Sequence, residues 1–327
     1  MSKLVTIFGG SGFVGRYIAR RMAKEGWRVR VAVRRPNEAL HVKPYGAVGQ
    51  VEPVLCNVRD EGSVRAAMAG ADAVVNCVGT FDRGGKNNFT AVQAAAPGRI
   101  ARLAAEAGVE TLVHLSAIGA DVEGASLYAQ SKGAGEAAVL AAFPTAMILR
   151  PSVIFGTEDQ FFNRFAAMSR MGPLLPVVGA ETRFQPVHVD DVAQAAVKGV
   201  LGQAHGVYEL GGPEVATFRA LMGKMLAVIR RRRLVLNIPF FAARIMATGL
   251  DFASALTLGL FPNKMLTRDQ VTSLGADNVV AAGAKGFADL GIEPADMDSV
   301  LSEYLWCFRP SGQYAAIKES AKNLRKA

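Results

Sequence analysis

Cysteine and histidine are scarce in this chain, which has three cysteines and four histidines among 327 residues. The cysteines, Cys56, Cys77 and Cys307, lie far apart in apolar surroundings. This pattern is typical of reduced, buried thiols in a cytosolic compartment and argues against a disulfide framework. The histidines are scattered, and neither residue type shows the spacing of zinc ligands. The sequence therefore predicts no metal site.

The chain also lacks a hydrophobic run long enough to cross a bilayer, which needs about 20 apolar residues. Residues 239–262 carry only Arg244 and Asp251 as charges, but the stretch is too interrupted to span a membrane. The first predicted strand begins almost at Met1, so we expect no signal or transit peptide. Such a start is typical of a bacterial protein or of one that is already mature.

Composition indicates a globular protein and excludes a disordered one, because 50% of the residues are hydrophobic and 20% are charged. A chain of this length can bury a large core, as one large domain or two smaller ones. The net charge of +9 makes nucleic acid a possible partner class. No interleaving of aromatic and basic residues and no binding module supports that class, so we expect no nucleic acid.

A glycine-rich turn at residues 7–15 joins an apolar run at residues 4–8 to a segment of helical spacing at residues 14–24. Gly9, Gly12 and Gly15 therefore lie at a strand-to-helix corner. There a dinucleotide pyrophosphate can bind to backbone N–H groups and the helix N-terminus. The three glycines permit the tight turn, the close approach of the phosphates and the close packing of helix on strand. The turn predicts nucleotide binding.

The end of the second predicted strand, at residues 27–33, is followed by Arg34 and Arg35. NAD-binding units usually carry an acidic residue here, about 20 positions after the glycine turn, which binds the ribose 2′-hydroxyl. Two guanidinium groups instead favour a 2′-phosphate, because a guanidinium binds phosphate with two parallel hydrogen bonds. The sequence thus favours NADP(H) over NAD(H). The alternative is that both arginines are surface charges of a basic protein.

Strand and helix signals alternate up to about residue 150. Strands are predicted at residues 4–8, 27–33, 51–56, 73–78, 111–115 and 146–149, and helices at 14–24, 63–69, 90–107 and 129–142. Pro97 and Gly98 predict a kink in the third helix. This alternation predicts an α/β fold, a Rossmann-type doubly wound parallel sheet with a smaller C-terminal subdomain. We expect an NADP(H)-binding domain at residues 1–155, to which 186–212 return, and a substrate-like or docking subdomain at 156–327.

Tyr128 and Lys132 are four residues apart on a predicted helix and share one face. A lysine ammonium beside a tyrosine phenol is expected to lower the pKa of the phenol towards the range of an acid–base catalyst. Tyr314 and Lys318 have the same spacing. They lie in a basic tail without a nucleotide motif nearby, so we interpret them as a solvated helix face.

With these motifs, the chain resembles the short-chain dehydrogenase/reductase superfamily in its extended and atypical branches. The matching segments lie at residues 9–15, 76–79, 116, 128–132, 149–156 and 186–192. The resemblance implies catalytic roles for Tyr128 as proton donor, Lys132 and Ser116. The cofactor contacts that it implies are Gly9, Ser11, Gly12, Phe13, Val14, Gly15, Arg34, Arg35, Asn57, Val58, Val78, Gly79, Tyr128, Lys132, Pro151 and Val153.

One departure from that family concerns its catalytic serine or threonine, which lies just past the fifth strand in a run of hydroxyl residues. Here residues 116–119 contain a single hydroxyl, that of Ser116. If the catalytic place corresponds to Ile118, the substrate-orienting hydroxyl is missing and turnover is impaired, while cofactor binding is kept. The sequence leaves this register open, so catalysis by the chain itself is expected to be absent or vestigial.

A closer resemblance is to the dehydrogenase-like accessory subunits of respiratory complex I (NADH:ubiquinone oxidoreductase) of alphaproteobacterial type. The matching segments lie at residues 155–165, 172–176, 185–192 and 262–278. The resemblance implies a bound NADPH with a structural or sensing role and a place on the peripheral arm near the membrane. It also implies that the partners are other complex I subunits, at the cytoplasmic face of the bacterial inner membrane.

The C-terminal half gives separate support for a docking role. Residues 215–250 contain no acidic residue but hold the arginine run Arg230 to Arg233, and an apolar stretch follows directly. A basic cluster beside an apolar helix suits an anionic membrane surface or a large partner interface. We expect residues 230–262 to form the docking surface. The alternative is a buried helix of the substrate subdomain beside an exposed basic turn.

Two function hypotheses remain. The first is an NADPH-binding accessory subunit of complex I with a structural or regulatory role, which the serine departure and the basic, apolar region favour. The second is a free NADPH-dependent reductase or epimerase, which the intact pair of Tyr128 and Lys132 favours.

Overall fold

The structure, a computed structural model, describes residues 2–80, 84–256, 266–314 and 317. Lys318, in the second tyrosine–lysine pair, and residues 257–262 of the expected docking segment lie outside the described residues. The chain forms two compact units. The first unit contains residues 1–152, 189–211 and 280–294, and the second contains residues 153–188, 212–279 and 295–327.

The described strands have the following bounds along the chain: β1 Leu4–Phe8, β2 Arg28–Val33, β3 Val51–Leu55, β4 Ala73–Asn76, β5 Thr111–Leu115, β6 Met147–Pro151, β7 Ile154–Phe155, β8 Leu174–Val178, β9 Arg183–Phe184, β10 Val187–His188, β11 Gly206–Leu210, β12 Ala216–Thr217 and β13 Leu234–Ile238.

The described α-helices are α1 Phe13–Lys24, α2 Glu61–Met68, α3 Ala96–Glu106, α4 Leu127–Ala142, α5 Phe162–Met168, α6 Val189–Val200, α7 Phe218–Val228, α8 Phe240–Leu256, α9 Arg268–Ser273 and α10 Met297–Tyr304. A π-helical turn, Thr90–Ala95, leads directly into α3. No helix in the described ranges is long and apolar enough to cross a membrane.

The first unit is built on a parallel sheet of seven strands in the order β11-β6-β5-β4-β1-β2-β3. The inner strands β1 and β4 are apolar and buried along their whole length, as expected for a parallel sheet whose two faces are covered by helices. The strand order reverses between β1 and β4, where Phe8 pairs with Asn76. In open α/β sheets this switch point is where ligands bind, at the carboxyl ends of the strands. The predicted Rossmann-type doubly wound sheet is confirmed.

The kink predicted at Pro97 corresponds to the π-helical turn that precedes α3. Proline has no N–H to donate to the carbonyl four residues earlier, here that of Gln93. The Gln93 carbonyl instead faces Gly135 of α4, where an added Cβ would lie 2.1 Å from the carbonyl oxygen. The π-helical turn therefore packs closely against α4 at this point, and α4 carries the tyrosine–lysine pair.

The second unit has its own apolar core, in which α5, α7 and α10 pack around several phenylalanines. The ring of Phe161 stacks on that of Phe218 with centroids 5.5 Å apart. Asp159 is buried beside this core and accepts hydrogen bonds from the backbone N–H groups of Gly156, Phe161 and Asn163 and from the Tyr304 hydroxyl. Four donors satisfy the carboxyl group, so it links the start of α5 to α10.

Candidate functional site

The glycine-rich turn lies between β1 and α1 at the switch point of the sheet. Gly9 has φ +76°, a backbone conformation that L side chains rarely adopt. At Gly15 an added Cβ would lie 2.5 Å from the Gly9 carbonyl oxygen and 2.7 Å from the Gly10 Cα. Gly12 is the N-cap of α1 and offers no side chain to the first helical N–H groups. The turn thus presents backbone N–H groups at a helix N-terminus, as an anion site requires.

The other residues predicted in this turn, Ser11, Phe13 and Val14, stand around the first turn of α1. Val14 is buried, whereas Ser11 and Phe13 are half-buried. The Arg16 guanidinium closes the turn, because it donates to the carbonyls of Gly12 (3.3 Å) and Ser11 (3.2 Å).

Arg34 and Arg35 follow β2 directly, and both are exposed. Arg35 donates to the Glu38 carboxylate at 3.0 Å, with both side chains mostly in solvent. Within the described part of the chain, the Arg34 guanidinium makes no ion pair or hydrogen bond. Of the two, Arg34 is therefore the side chain whose hydrogen-bond donors are all available to an anionic ligand.

Asn57 and Val58 form the turn after β3. The Asn57 side-chain oxygen accepts from the Arg59 backbone N–H at 3.2 Å, and the Asn57 backbone N–H donates to the Ser63 hydroxyl at 2.9 Å. Val58 is buried, and its carbonyl accepts from Arg99 at 2.9 Å. These bonds give the turn a fixed shape at the carboxyl end of β3.

The turn after β4 contains Val78 and Gly79 and contacts the glycine-rich turn. An added Cβ on Gly9 would lie 3.2 Å from the Cys77 carbonyl and 3.3 Å from the Val78 nitrogen. The Cys77 N–H also donates to the Phe8 carbonyl at 2.9 Å. Burial raises the pKa of the Cys77 thiol to about 12, so it remains protonated. The two turns form one continuous cradle.

Tyr128 and Lys132 lie one turn apart near the start of α4, whose N-cap is Ser126. The Lys132 ammonium is 6.0 Å from the centre of the Tyr128 ring and donates to the Leu115 carbonyl at 3.1 Å. Burial lowers the pKa of Lys132 to about 8. The same desolvation raises the pKa of Tyr128 to about 12. The expectation that Lys132 lowers the tyrosine pKa is therefore wrong in this structure, because the cost of burying a phenolate outweighs an ammonium that bonds elsewhere.

Ser116 directly follows β5 and is buried, with 4% of its surface exposed. No partner for its hydroxyl oxygen exists among the described residues. Its backbone is fixed, because the Ser116 N–H donates to the Leu149 carbonyl at 2.7 Å. Ile118 likewise donates its N–H to the Pro151 carbonyl at 3.1 Å. A buried hydroxyl without a partner costs free energy unless a bound group satisfies it.

The last two predicted cofactor residues fall in different units. Pro151 ends β6 in the first unit, at the carboxyl edge of the sheet. Val153 belongs to the second unit, where it packs against the phenylalanine-rich core.

Four polar residues close to the pair were not singled out from the sequence: Gln93, His114, Glu136 and Arg150. Gln93 is 2% exposed and accepts from the Ser131 hydroxyl at 2.8 Å. His114 contacts Asn76, and Arg150 forms an ion pair with Glu136 on α4. Each of these residues binds a partner that is distant in sequence. The only sequence signal for such a residue is a single polar side chain within an apolar segment.

The expected docking segment lies in the second unit, where β13 pairs in parallel with β8. Four apolar residues alternate along one exposed face of this two-stranded ribbon, in the register Leu174 with Leu234 and Pro176 with Leu236. Leu234 is 66% exposed and Leu236 is 46% exposed. The ribbon thus presents an apolar face to solvent.

Helix α8 follows this ribbon and is amphipathic over its described side chains. Ala243 and Ala247 are fully buried, whereas Phe241 and Ile245 are both 70% exposed. Arg244 lies on the exposed face. This part of the helix is therefore buried on one face and exposed on the other. The ribbon residues Leu174, Pro176, Leu234 and Leu236, together with Phe241, Ile245 and the exposed Arg230, Arg232 and Arg244, are called the basic-apolar surface below.

The four arginines of the run differ in their surroundings. Arg231 donates to the Phe308 carbonyl at 3.0 Å, and Arg233 donates to the Ser169 carbonyl at 2.7 Å. Burial, reinforced by nearby Arg233 and Arg170, lowers the pKa of Arg231. Arg230 and Arg232 are exposed. The run therefore combines two arginines that hold backbone carbonyls with two that face solvent.

A model of the NAD dependent epimerase/dehydratase family matches residues 5–211. The chain belongs to this family. The match ends where the last strand of the parallel sheet ends, so it covers the glycine-rich turn, the tyrosine–lysine pair and β11. The resemblance to dehydrogenases and reductases inferred from the motifs is confirmed.

Two relatives match this chain to different extents. The chain is 34% identical over 316 residues to the mitochondrial NADH dehydrogenase (ubiquinone) 1 alpha subcomplex subunit 9 of Arabidopsis thaliana, covering 94% of this chain and 79% of the relative. It is 32% identical over 207 residues to a ceramide reductase of Caulobacter vibrioides, covering 63% of this chain and 64% of that protein.

Among solved structures, a dTDP-glucose 4,6-dehydratase of Streptomyces venezuelae with NAD and TYD bound matches with a TM-score of 0.70 at 19% identity, covering 96% of this chain and 99% of that one. At this identity the likeness shows the fold alone.

Proposed function

We propose that this protein is an NADPH-binding accessory subunit of respiratory complex I (NADH:quinone oxidoreductase), with a structural or regulatory role. The observation that carries the proposal is the match to a complex I subunit over 94% of the chain, because it includes the second unit as well as the sheet. A match confined to the sheet would indicate only the dinucleotide-binding family.

The cradle fits a dinucleotide by three independent features. Side chains are excluded at Gly9 and Gly15, N–H groups converge at the N-terminus of α1, and the buried Ser116 hydroxyl has no partner among the described residues. The glycine-rich turn would bind the pyrophosphate, and Arg34 the 2′-phosphate. Val78 and Gly79 would face the nicotinamide ribose, and Lys132 would donate to its hydroxyls. When bound, NADPH supplies a hydride donor at its dihydronicotinamide ring.

A reduced catalytic capacity is consistent with the residues around the pair. Ala117 and Ile118 carry no hydroxyl that would orient a substrate, and Ser116 is buried. This arrangement suits a cofactor that is held for structure or regulation.

A second candidate function is a free NADPH-dependent reductase or epimerase. It is favoured by the intact pair of Tyr128 and Lys132 and by the similarity to a ceramide reductase over 63% of the chain. The two functions can be distinguished by measurement. An accessory subunit remains bound to its complex, whereas a free enzyme needs its tyrosine for turnover.

The test is to solubilise native membranes gently and to separate the complexes without denaturation. We expect this protein to migrate with NADH:quinone oxidoreductase activity. We expect a Tyr128→Phe variant to retain its NADPH, to migrate in the same way and to leave the activity of the complex unchanged, since the ring still packs against Phe89 at 6.1 Å. If the protein instead migrates apart from the complex and transfers hydride to a defined substrate in a tyrosine-dependent way, the proposal is contradicted and the free enzyme is favoured.

The preference for NADPH gives a further expected result. Arg34→Ala should weaken NADPH binding about 10- to 150-fold, because a charged hydrogen bond contributes about 1.5–3 kcal/mol. NADH binding should change little. Arg35→Ala is the matched control, and its effect should be smaller because Arg35 already pairs with Glu38. Both affinities are measured by titration of the nicotinamide fluorescence. An equal loss for NADPH and NADH would exclude Arg34 as the 2′-phosphate ligand.

We further propose that the basic-apolar surface places the protein peripherally at the cytoplasmic face of the inner membrane, next to the other subunits. Each basic residue near an anionic lipid surface contributes about 1 kcal/mol. The exposed leucines, Phe241 and Ile245 supply apolar area that gains about 25 cal/mol for each Å² removed from water. An interfacial helix of this kind lies on the membrane without crossing it.

A further inference from the structure

The carboxyl ends of β4 and β5 carry a pair of buried polar residues inside an otherwise apolar sheet. Asn76 is 2% exposed and His114 is 1% exposed, and the two stand opposite each other in the strand register. The Asn76 side-chain amide nitrogen lies 3.1 Å from His114 Nδ1. Buried polar groups cost free energy unless they are paired, so a pair at this position calls for an explanation.

The direction of the bond follows from the neighbouring contacts. Asn76 Oδ1 accepts from the Val78 N–H at 3.1 Å. The amide nitrogen therefore faces the histidine and donates to Nδ1, which places the imidazole proton on Nε2. Burial, together with the nearby Lys132 ammonium, lowers the pKa of His114 to about 3, so the ring is neutral.

These contacts form a chain that ends at the cofactor cradle. His114 fixes the rotation of the Asn76 amide, and the amide holds the Val78 N–H, in the turn that contacts Gly9. We propose that His114 is a positioning residue, which acts through Asn76 to hold the Val78–Gly79 turn in the shape that receives the nicotinamide ribose. The inference rests on the proposed binding of NADPH.

A second observation points the same way. His114 Nε2 has no partner among the described residues, although it is buried. A buried N–H without an acceptor is costly, so packing alone would favour an apolar side chain at this position. The histidine is therefore better explained by the acceptor that its Nδ1 provides to Asn76 than by its contribution to the core.

The experiment compares three variants that differ in where they place an acceptor. Asparagine keeps an acceptor on the atom next to Cγ, as Nδ1 is, whereas glutamine moves it one bond further and leucine removes it. We expect His114→Leu and His114→Gln to weaken NADPH binding roughly 5- to 20-fold, because a buried partner is left without its bond. His114→Asn should stay within about three-fold of the parent protein.

Binding of two probes, NADPH and 2′,5′-ADP, separates a positioning role from a merely structural one. The second probe carries the adenosine half and the 2′-phosphate but no nicotinamide ribose. His114→Leu and His114→Gln should bind it like the parent protein, whereas Arg34→Ala should weaken both probes. The emission of bound NADPH should also fall in the two weakened variants, since the nicotinamide end is less firmly held.

Two failures are distinguishable. If the parent protein binds neither probe, the proposed cofactor function is wrong and His114 is not at issue. If the parent binds NADPH but His114→Gln and His114→Asn bind it equally well, the positioning role is wrong while the cofactor function stands. Equal losses for NADPH and 2′,5′-ADP would likewise overturn the inference, because they would indicate general damage to the sheet. The comparison of the two amides keeps the test decisive if His114→Leu does not fold.

Discussion

Replacing Arg150 with methionine should lower the free energy of unfolding of the first unit by about 3–5 kcal/mol, the range for breaking a buried ion pair. Arg150 binds Glu136 through two nitrogens, at 3.0 and 2.6 Å, and its third nitrogen lies 3.6 Å from Glu209. The side chains of Glu136 and Glu209 are only 5% and 11% exposed. Without Arg150, two carboxylates in a poorly solvated place lose the guanidinium group that pairs with them.

The chain offers a matched control for this substitution. Arg102 also binds two carboxylates, Glu61 at 2.7 Å and Glu106 at 2.6 Å, but all three side chains are 41–48% exposed. Exposed ion pairs contribute about 0–1 kcal/mol because water solvates the separated charges well. Arg102→Met should therefore cost less than about 1 kcal/mol. The two variants have the same chemistry and differ in burial.

The measurement requires a signal from the first unit alone. The chain has two tryptophans, of which Trp27 lies in the first unit and Trp306 in the second. In a Trp306→Phe background, the fluorescence of Trp27 during denaturant unfolding reports on the first unit. A double variant, Arg150→Met with Glu136→Gln, should recover part of the loss because one uncompensated charge is removed. Similar small losses for Arg150→Met and Arg102→Met would contradict the expected role of burial.

Arg150 also bears on the site, because Glu136 is on the same helix as the tyrosine–lysine pair. Tyr128, Lys132 and Glu136 follow one another at intervals of four residues, so they share one face of α4. The ion pair of Glu136 with Arg150 anchors that face to β6. It thereby fixes the rotation of α4 that directs Lys132 to the Leu115 carbonyl.

The parts of the site that the sequence predicts are those whose logic is local. The glycine-rich turn is recognisable because Gly9, Gly12 and Gly15 follow a strand and open a helix within a few residues. Tyr128 and Lys132 are recognisable because four residues make one helical turn. The fold follows from the same kind of signal, since apolar strands and helices alternate at regular spacing.

The parts that the sequence does not predict depend on partners far away in the chain. His114 and Asn76 are 38 residues apart, and their contact follows only from the register of β4 and β5. The arginine run gives a second case. Its four side chains look equivalent in sequence, but Arg231 and Arg233 bind carbonyls that lie 77 and 64 residues away. The pKa of Tyr128 is a third case, because burial cannot be deduced from spacing.

The arginine contacts change how the docking proposal must be tested. Replacing all four arginines of the run would remove the hydrogen bonds that Arg231 and Arg233 donate to the carbonyls of Phe308 and Ser169, and would destabilise the second unit. The informative variant therefore reverses only the exposed charges of the basic-apolar surface, as Arg230→Glu, Arg232→Glu and Arg244→Glu together. The matched control is Arg20→Glu, Lys24→Glu and Arg28→Glu, which reverses the same number of exposed charges in the first unit.

We expect the surface variant to bind phosphatidylglycerol-containing vesicles at least about 100-fold more weakly, because three basic residues contribute about 1 kcal/mol each and the introduced glutamates are repelled. The control variant should bind these vesicles nearly as well as the parent protein, and both should keep their affinity for NADPH. Vesicle co-sedimentation at low and high salt measures the effect, since salt screens the charged part and spares the apolar part. Equal binding by the surface and control variants would show that the arginines contribute only net charge. Loss from the complex without loss from vesicles would instead assign the surface to a neighbouring subunit, because the apolar ribbon and the Phe241 and Ile245 face would then be covered by protein and not by lipid.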